Sequence, residues 1–221
     1  MWRRLFAEWL GSLLLTATVI GSGVMAEQLA AGNSAIALLA NTGATVAVLF
    51  TLIALLGPVS GAHFNPAVSF IIASRQSMPW RDAVAYTLIQ ITGCCMGTLL
   101  THAMFALPLI QLSTHMRTGF SQWLAEAIAA FGLLLVVLGH RRKEDAPWMV
   151  AMWIGAAYWF TASTSFANPA ITIARSLTNT FSGIRPVDIT GFIFAQCTGA
   201  FLASMAATYL WPKQSAPATQ P

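Results

Sequence analysis

Two short stretches decide the reading of this chain: Gly61-Ala62-His63-Phe64-Asn65-Pro66-Ala67-Val68 and Phe166-Ala167-Asn168-Pro169-Ala170-Ile171. Asparagine is a favoured helix N-cap because its side-chain oxygen accepts from the first free backbone N–H groups. Proline suits the first helical turn, where no N–H is needed. Each Asn-Pro-Ala therefore begins a helix. The space before the next apolar segment admits about two to three turns, enough to reach from the middle of a bilayer to one face. The residues ahead of each motif are then irregular backbone at membrane depth, which lipid tolerates only where it lines a cavity. A single copy is an ordinary helix start. Two copies, each ahead of a half-span, are not.

The rest of the chain supplies the bilayer that this reading needs. Hydrophobic residues make up 57% of the 221, charged residues 8%, and the mean hydropathy is +0.68. A soluble domain carries about a quarter charged residues, so these side chains cannot cover a water-facing surface. Apolar runs long enough to span fall at 5–26, 36–56, 83–105, 122–140, 147–166 and 187–210, since about 20 helical residues cross the hydrocarbon. Glu8 interrupts the first run, and the run has a partner later in the chain, so it is a span and not a signal peptide. The tail 212–221, polar and proline-rich, reads as disordered.

Landmarks recur in one order. Ala7-Glu8 opens the first span and Ala125-Glu126 the fourth; Asn65-Pro66-Ala67 follows the second and Asn168-Pro169-Ala170 the fifth. Asp82 precedes Gln90-Ile91-Thr92-Gly93 in the third, as Asp188 precedes Gln196-Cys197-Thr198-Gly199 in the sixth. Three spans per repeat, an odd number, turn the second copy upside down, which is a known way to build a path with its key site at the midplane. The expectation is one membrane domain over 1–221, with repeats at about 1–110 and 120–210. Gly93-xxx-Gly97 and its echo Gly199-xxx-Ala203 permit close helix contact.

The net charge of +4 does not point to nucleic acid. Arg3, Arg4, Arg75, Arg81, Arg141, Arg142, Lys143 and Lys213 fall on one side of the predicted topology, leaving Arg117, Arg175 and Arg185 on the other. That asymmetry places both termini in the cytoplasm. Trp80, Trp123, Trp148, Tyr209 and Trp211 read as interface anchors, and Trp159 and Phe160 as lipid-facing or packing residues. Cys94, Cys95 and Cys197 sit inside apolar runs with no metal spacing. His102, His115 and His140 form no cluster with a carboxylate. No cofactor is expected.

Two inverted half-helices meeting tip to tip bring two partial positive charges of about half an elementary charge each to the centre. Cations, hydronium included, meet a barrier there, while a neutral molecule finds amide donors at Asn65 and Asn168. Carbonyls of about Gly61 to Phe64 and Thr164 to Ala167 supply acceptors. The pattern predicts a passive channel for water and small uncharged solutes. Inverted repeats also build alternating-access transporters, which usually need ion-binding groups at the midplane; the deep acids here are Glu8 and Glu126. An enzyme is excluded by the lack of H-E-x-x-H, of paired midplane aspartates and of a nucleophile with its base.

On these motifs the chain resembles the aquaporins, the major intrinsic proteins, over about residues 5–210. The resemblance implies an all-α membrane protein of six spanning helices plus two half-helices, a pore in every subunit, and a homotetramer in the cell's inner membrane. It also implies that Glu8 and Glu126 support the motif loops, and that His63 lines the inner loop. The family's selectivity ring maps by spacing onto Thr45, Ala156, Ser165 and Ile171. Ile171 stands where the family usually has arginine, and Thr172 where typical glycerol channels have an acid. Such a ring has no bulky aromatic and no fixed cation, which predicts a wider, less polar constriction. Arg175 lies one turn beyond Ile171 on the same helix face. It either lines the outer vestibule or turns aside to cap loop carbonyls. The run Phe166 to Arg175 is similar to a bacterial branch found near arsenic-resistance genes, which implies arsenous acid or methylated arsenic species as cargo.

Overall fold

The structure is a computed structural model that describes residues 1–139 and 142–212. Lys213 to the end of the tail, His140, Arg141 and the side chain of Lys143 lie outside the described residues. Among the described residues eight α-helices follow in order: α1 (Trp2–Leu29), α2 (Ser34–Ser60), α3 (Pro66–Ser74), α4 (Trp80–Met104), α5 (Phe120–Gly139), α6 (Ala146–Phe160), α7 (Pro169–Arg175) and α8 (Ile189–Leu210). No strand occurs among the described residues.

Local chemistry sets the ends. Asn33 caps α2 by accepting from Ala35 N and Ile36 N at 3.1 and 3.2 Å. Gly61 closes it in the left-handed region, at φ 93°, a conformation that glycine adopts without strain. α3 and α7 have nine and seven residues, roughly 14 and 10 Å at the helical rise. They are half-spans.

α1, α2, α4, α5 and α8, the last with its leading 3-10 turn, are each long and apolar enough to cross a bilayer. The span expected over 147–166 is shorter, because α6 stops at Phe160. Thr161-Ala162-Ser163-Thr164-Ser165 is rich in hydroxyls that compete for backbone groups. The Thr161 hydroxyl and N–H both donate to Ala157 O, at 2.7 and 3.2 Å, and Ser165 N donates to Ser163 Oγ at 3.2 Å. The chain turns back there and enters the bundle as loop. A 3-10 turn, Lys143–Asp145, lengthens the segment at its other end.

Packing repeats as the sequence landmarks do. α1 lies on α4 as α5 lies on α8; α1 meets α2 as α5 meets α6; α7 packs on α4 as α3 packs on α8. Close approach at the two main crossings depends on absent side chains. A Cβ on Gly93 or Gly97 would run into the α1 carbonyls of Trp9 and Leu13, and one on Gly199 would meet the α5 carbonyl of Ala127. Large apolar side chains such as Phe50, Leu55, Leu88, Met96 and Phe194 point outward, the surface a lipid-facing bundle requires. Trp80, Trp148 and Tyr209 are exposed near helix ends, as are Trp159 and Phe160.

Candidate functional site

α3 and α7 touch at their N-terminal ends in the middle of the bundle, and the two asparagines cross. Asn65 Nδ2 donates to Ala167 O, and Asn168 Nδ2 donates to Phe64 O, both at 2.8 Å. Each side-chain oxygen meanwhile caps its own helix. Asn65 Oδ1 accepts from Ala67 N at 2.9 Å; Asn168 Oδ1 accepts from Ala170 N and Ile171 N at 3.0 and 3.3 Å. An amide nitrogen has two protons. One is committed to the opposite loop, and the other is left for the cavity that both asparagines line.

The loops that lead in are held in matching backbone conformations. Gly61, Ala62 and Phe64 have positive φ, and so do Thr164, Ser165 and Ala167, at the same distances before each asparagine. Left-handed backbone at non-glycine residues is costly and persists only where the surroundings enforce it. Two buried carboxylates do so. Glu8 accepts from Ser60 Oγ (2.6 Å), His63 N (3.0 Å), Phe64 N (2.7 Å) and Gln90 Nε2 (2.8 Å). Glu126 accepts from Phe166 N (2.8 Å), Ala167 N (2.9 Å) and Gln196 Nε2 (2.6 Å). With the N–H groups taken, carbonyls of Gly61 to His63 and of Thr164 to Phe166 accept no hydrogen bond from another described residue. They remain as acceptors beside the cavity.

Sequence reading missed a second matched pair. Ser69 and Thr172 stand four residues after Asn65 and Asn168, with hydroxyls donating to Asn65 O (3.2 Å) and Asn168 O (2.8 Å). Gln90 Nε2 and Gln196 Nε2 reach them at 3.1 and 2.9 Å. The signal was an equal spacing of hydroxyl residues behind each motif. The His63 ring lies 3.1 Å from Ser69 Oγ through Nδ1 and edge-on to Tyr86, with centroids 5.4 Å apart. Phe166, at the matching place, is edge-on to Phe192 at 5.1 Å.

A cavity of about 1020 Å³ runs past both motifs. One end is bordered by Gly57, Pro58, Glu144 and Pro147, the other by Thr45, Tyr158, Ser165 and Arg175. At the first end Asp145 takes the Arg142 guanidinium through bonds of 2.8 and 3.0 Å, which pushes the arginine's pKa up. Thr45, Ser165 and Ile171 of the expected ring do line the cavity, but Ala156 does not. Ala156 is exposed on the outer side of α6; past the first turn of that helix the lining residues are Val150, Ile154 and Tyr158. They lie four residues apart on one helix face. A count off by two rotates a helical position by roughly 200°, so counting from the motif landed on the wrong side.

Tyr158 takes the place assigned to Ala156, with its hydroxyl 3.3 Å from Thr45 Oγ1. An aromatic side chain therefore stands beside Thr45 on the cavity wall. Nor is this level free of arginine. Arg175 is buried and lines the cavity, its Nε donating to Ser182 O and its guanidinium lying 3.4 Å from the Phe166 ring centroid.

A model of the family described as Major intrinsic protein matches residues 1–162. The aquaglyceroporin AqpS of Rhizobium meliloti (strain 1021) is 54% identical over 203 residues, covering 91% of this chain and 87% of that protein. A probable glycerol uptake facilitator protein of Thermotoga maritima is 28% identical over 168 residues, or 69% of this chain and 70% of its own length. Among solved structures, the aquaglyceroporin from Plasmodium falciparum superposes with a TM-score of 0.69 over 95% of this chain and 97% of that one. At 18% identity, that last likeness is one of fold.

Proposed function

The chain belongs to the major intrinsic protein family, and from that premise we propose that it conducts water and small uncharged solutes passively through the cavity between Asn65 and Asn168. The observation that carries this reading is the reciprocal crossing of the two amides at 2.8 Å. It holds two helix N-termini tip to tip, so partial positive charge faces the path from both sides while amide donors and loop carbonyls stay open to a neutral solute. Ions lose hydration there without compensation; water and hydroxyl compounds exchange one set of hydrogen bonds for another.

The cargo class is glycerol-like solutes and neutral metalloid acids such as arsenous acid. One fact supports it: a relative at 54% identity is called an aquaglyceroporin. The loop-supporting role of Glu8, Glu126 and His63, the ring of Thr45, Tyr158, Ser165 and Ile171, and one domain built of two repeats are parts of the same proposal. So are a homotetramer and an inner-membrane location with cytoplasmic termini. The last rests on Arg3, Arg4, Arg75, Arg81 and Arg142, which share the face of the N-terminus.

Alternating access asks for a titrating or ion-binding group in the path. Glu8 and Glu126 are instead engaged by donors from the motif loops and the helices behind them. The test is a swelling assay in proteoliposomes. Non-saturating flux of water and of glycerol above empty liposomes is the expected result. Saturable uphill transport would replace the channel by a carrier, and complete exclusion of glycerol- and urea-sized solutes would remove the cargo class.

A further inference from the structure

The cavity is not alike at its two ends. Val68 and Ile72 of α3 line it three and seven residues after Asn65; Ile171 and Arg175 line it three and seven residues after Asn168. Position seven is thus an isoleucine in one half and a guanidinium in the other. Arg175 is 4% exposed and forms no ion pair with a carboxylate among the described residues. Three other contacts hold its charge. The Phe166 face lies beneath it at 3.4 Å, a cation–π arrangement. Ser182 O accepts its Nε. As the last residue of α7, it also sits at the negative end of the helix dipole. Its Nη groups bond no described residue, while the side chain lines the cavity beside Tyr158 and Ser165. The buried Ser165 Oγ likewise has no partner among the described residues.

Behind the same ring stands a second guanidinium. Arg117, from the long connection between α4 and α5, lies 5.1 Å from the Phe166 centroid. Its side chain donates to three carbonyls on two separate segments: Gly183 O (2.8 Å), Ser163 O (3.3 Å) and Phe181 O (3.5 Å). Its backbone N–H is held by Asp188 Oδ2 at 2.8 Å. Arg117 therefore fixes both the loop that carries Phe166 and the segment that carries Ser182, the two supports of Arg175.

We infer that Arg175 is the specificity-determining cation at this end of the cavity, offering free guanidinium N–H groups to passing solutes, and that Arg117 is its positioning residue. The inference rests on the channel reading above. It adds a second barrier to cations, separate from the midplane, and donors suited to solutes with carbonyl or hydroxyl oxygens.

The test uses the full chain in proteoliposomes, with proton leak, water permeability and urea permeability measured on one preparation. Arg175→Leu is expected to raise proton leak relative to water flow about tenfold, equivalent to roughly 1.4 kcal/mol of barrier, and to change the urea-to-water ratio. Arg175→Lys keeps the charge and the low leak. Arg117→Leu moves leak and ratio in the same direction by about two- to threefold, a change that a purely structural staple would not produce in channels of wild-type water flow. If Arg175→Leu does not fold, Arg175→Gln, which can still donate to Ser182 O, gives the same reading. A folded Arg175 variant with wild-type leak and wild-type ratio overturns the inference. So does failure of both variants to fold, which would make the guanidinium a structural support. Wild-type liposomes that pass neither water nor urea would overturn the channel reading itself.

Discussion

The two half-helices are inverted copies that agree at their tips and part company one turn later. Each begins with an asparagine capping its own helix and donating to the other loop, and each has a hydroxyl four residues on that meets a glutamine. Beyond that turn, α3 offers Ile72 where α7 offers Arg175, and the loop before α3 carries His63 where that before α7 carries Phe166. The shared part is what any neutral solute needs in order to cross the middle. The unshared part is where one channel can be made to differ from another without disturbing the tips.

The support of the loops gives the largest handle on this comparison. Each buried donor left without a partner costs about 1–3 kcal/mol. Glu8 serves four donors and Glu126 three. Glu8→Ala is therefore expected to lose about 3 kcal/mol or more of stability, and Glu126→Ala less by about one such donor. Thermal unfolding in detergent checks this, and equal losses would mean that the extra Ser60 bond carries no weight. Next come the helix crossings. Gly199→Val puts a side chain against the Ala127 carbonyl, with an expected loss of about 1–3 kcal/mol for overpacking. Gly43→Val, which meets open space, serves as its control in the same melt.

Smaller still is the asymmetry of the caps. Asn168 accepts from two backbone N–H groups and Asn65 from one. A lost cap costs about 1 kcal/mol, so Asn168→Ala is expected to destabilise slightly more than Asn65→Ala by chemical denaturation. Both variants are expected to raise proton leak alike, since either one unmakes the crossing. The smallest effect belongs to Ala156→Leu, which faces away from the cavity and leaves glycerol flux unchanged. Tyr158→Ala changes that flux. The reverse pattern in a swelling assay would restore Ala156 to the ring.

Much of this was legible in the sequence because it rests on local rules. Asn-Pro-Ala starts a helix wherever it stands, glycines four apart permit close crossing, and Glu8 and Glu126 at matching places ask for matching partners. What was not legible depends on geometry that accumulates or arrives from elsewhere. Spacing from the motifs puts Ala156 on the lining face of α6, but no local rule sets the length of the loop between α6 and Asn168, and the structure turns Tyr158 to the cavity instead. The early end of α6 follows from hydroxyls at Thr161 and Ser163 that turn the backbone, which an apolar window averages away. The direction of Arg175 is set by Phe166 and Ser182, and through them by Arg117, a residue far away in the chain. Ser69 and Thr172 stand at equal spacing behind the two motifs, but the glutamines that pair them come from distant helices.

Exclusion of ions by helix tips that pass uncharged molecules is the property on which everything else depends. It is tested most directly by recording, on the same proteoliposomes, osmotic water and glycerol flux together with proton and sodium flux under an imposed potential. Water and glycerol flux well above protein-free liposomes, with ion flux at the lipid background, is the expected result. Ion flux that rises in step with water, or no neutral flux above background, would contradict it.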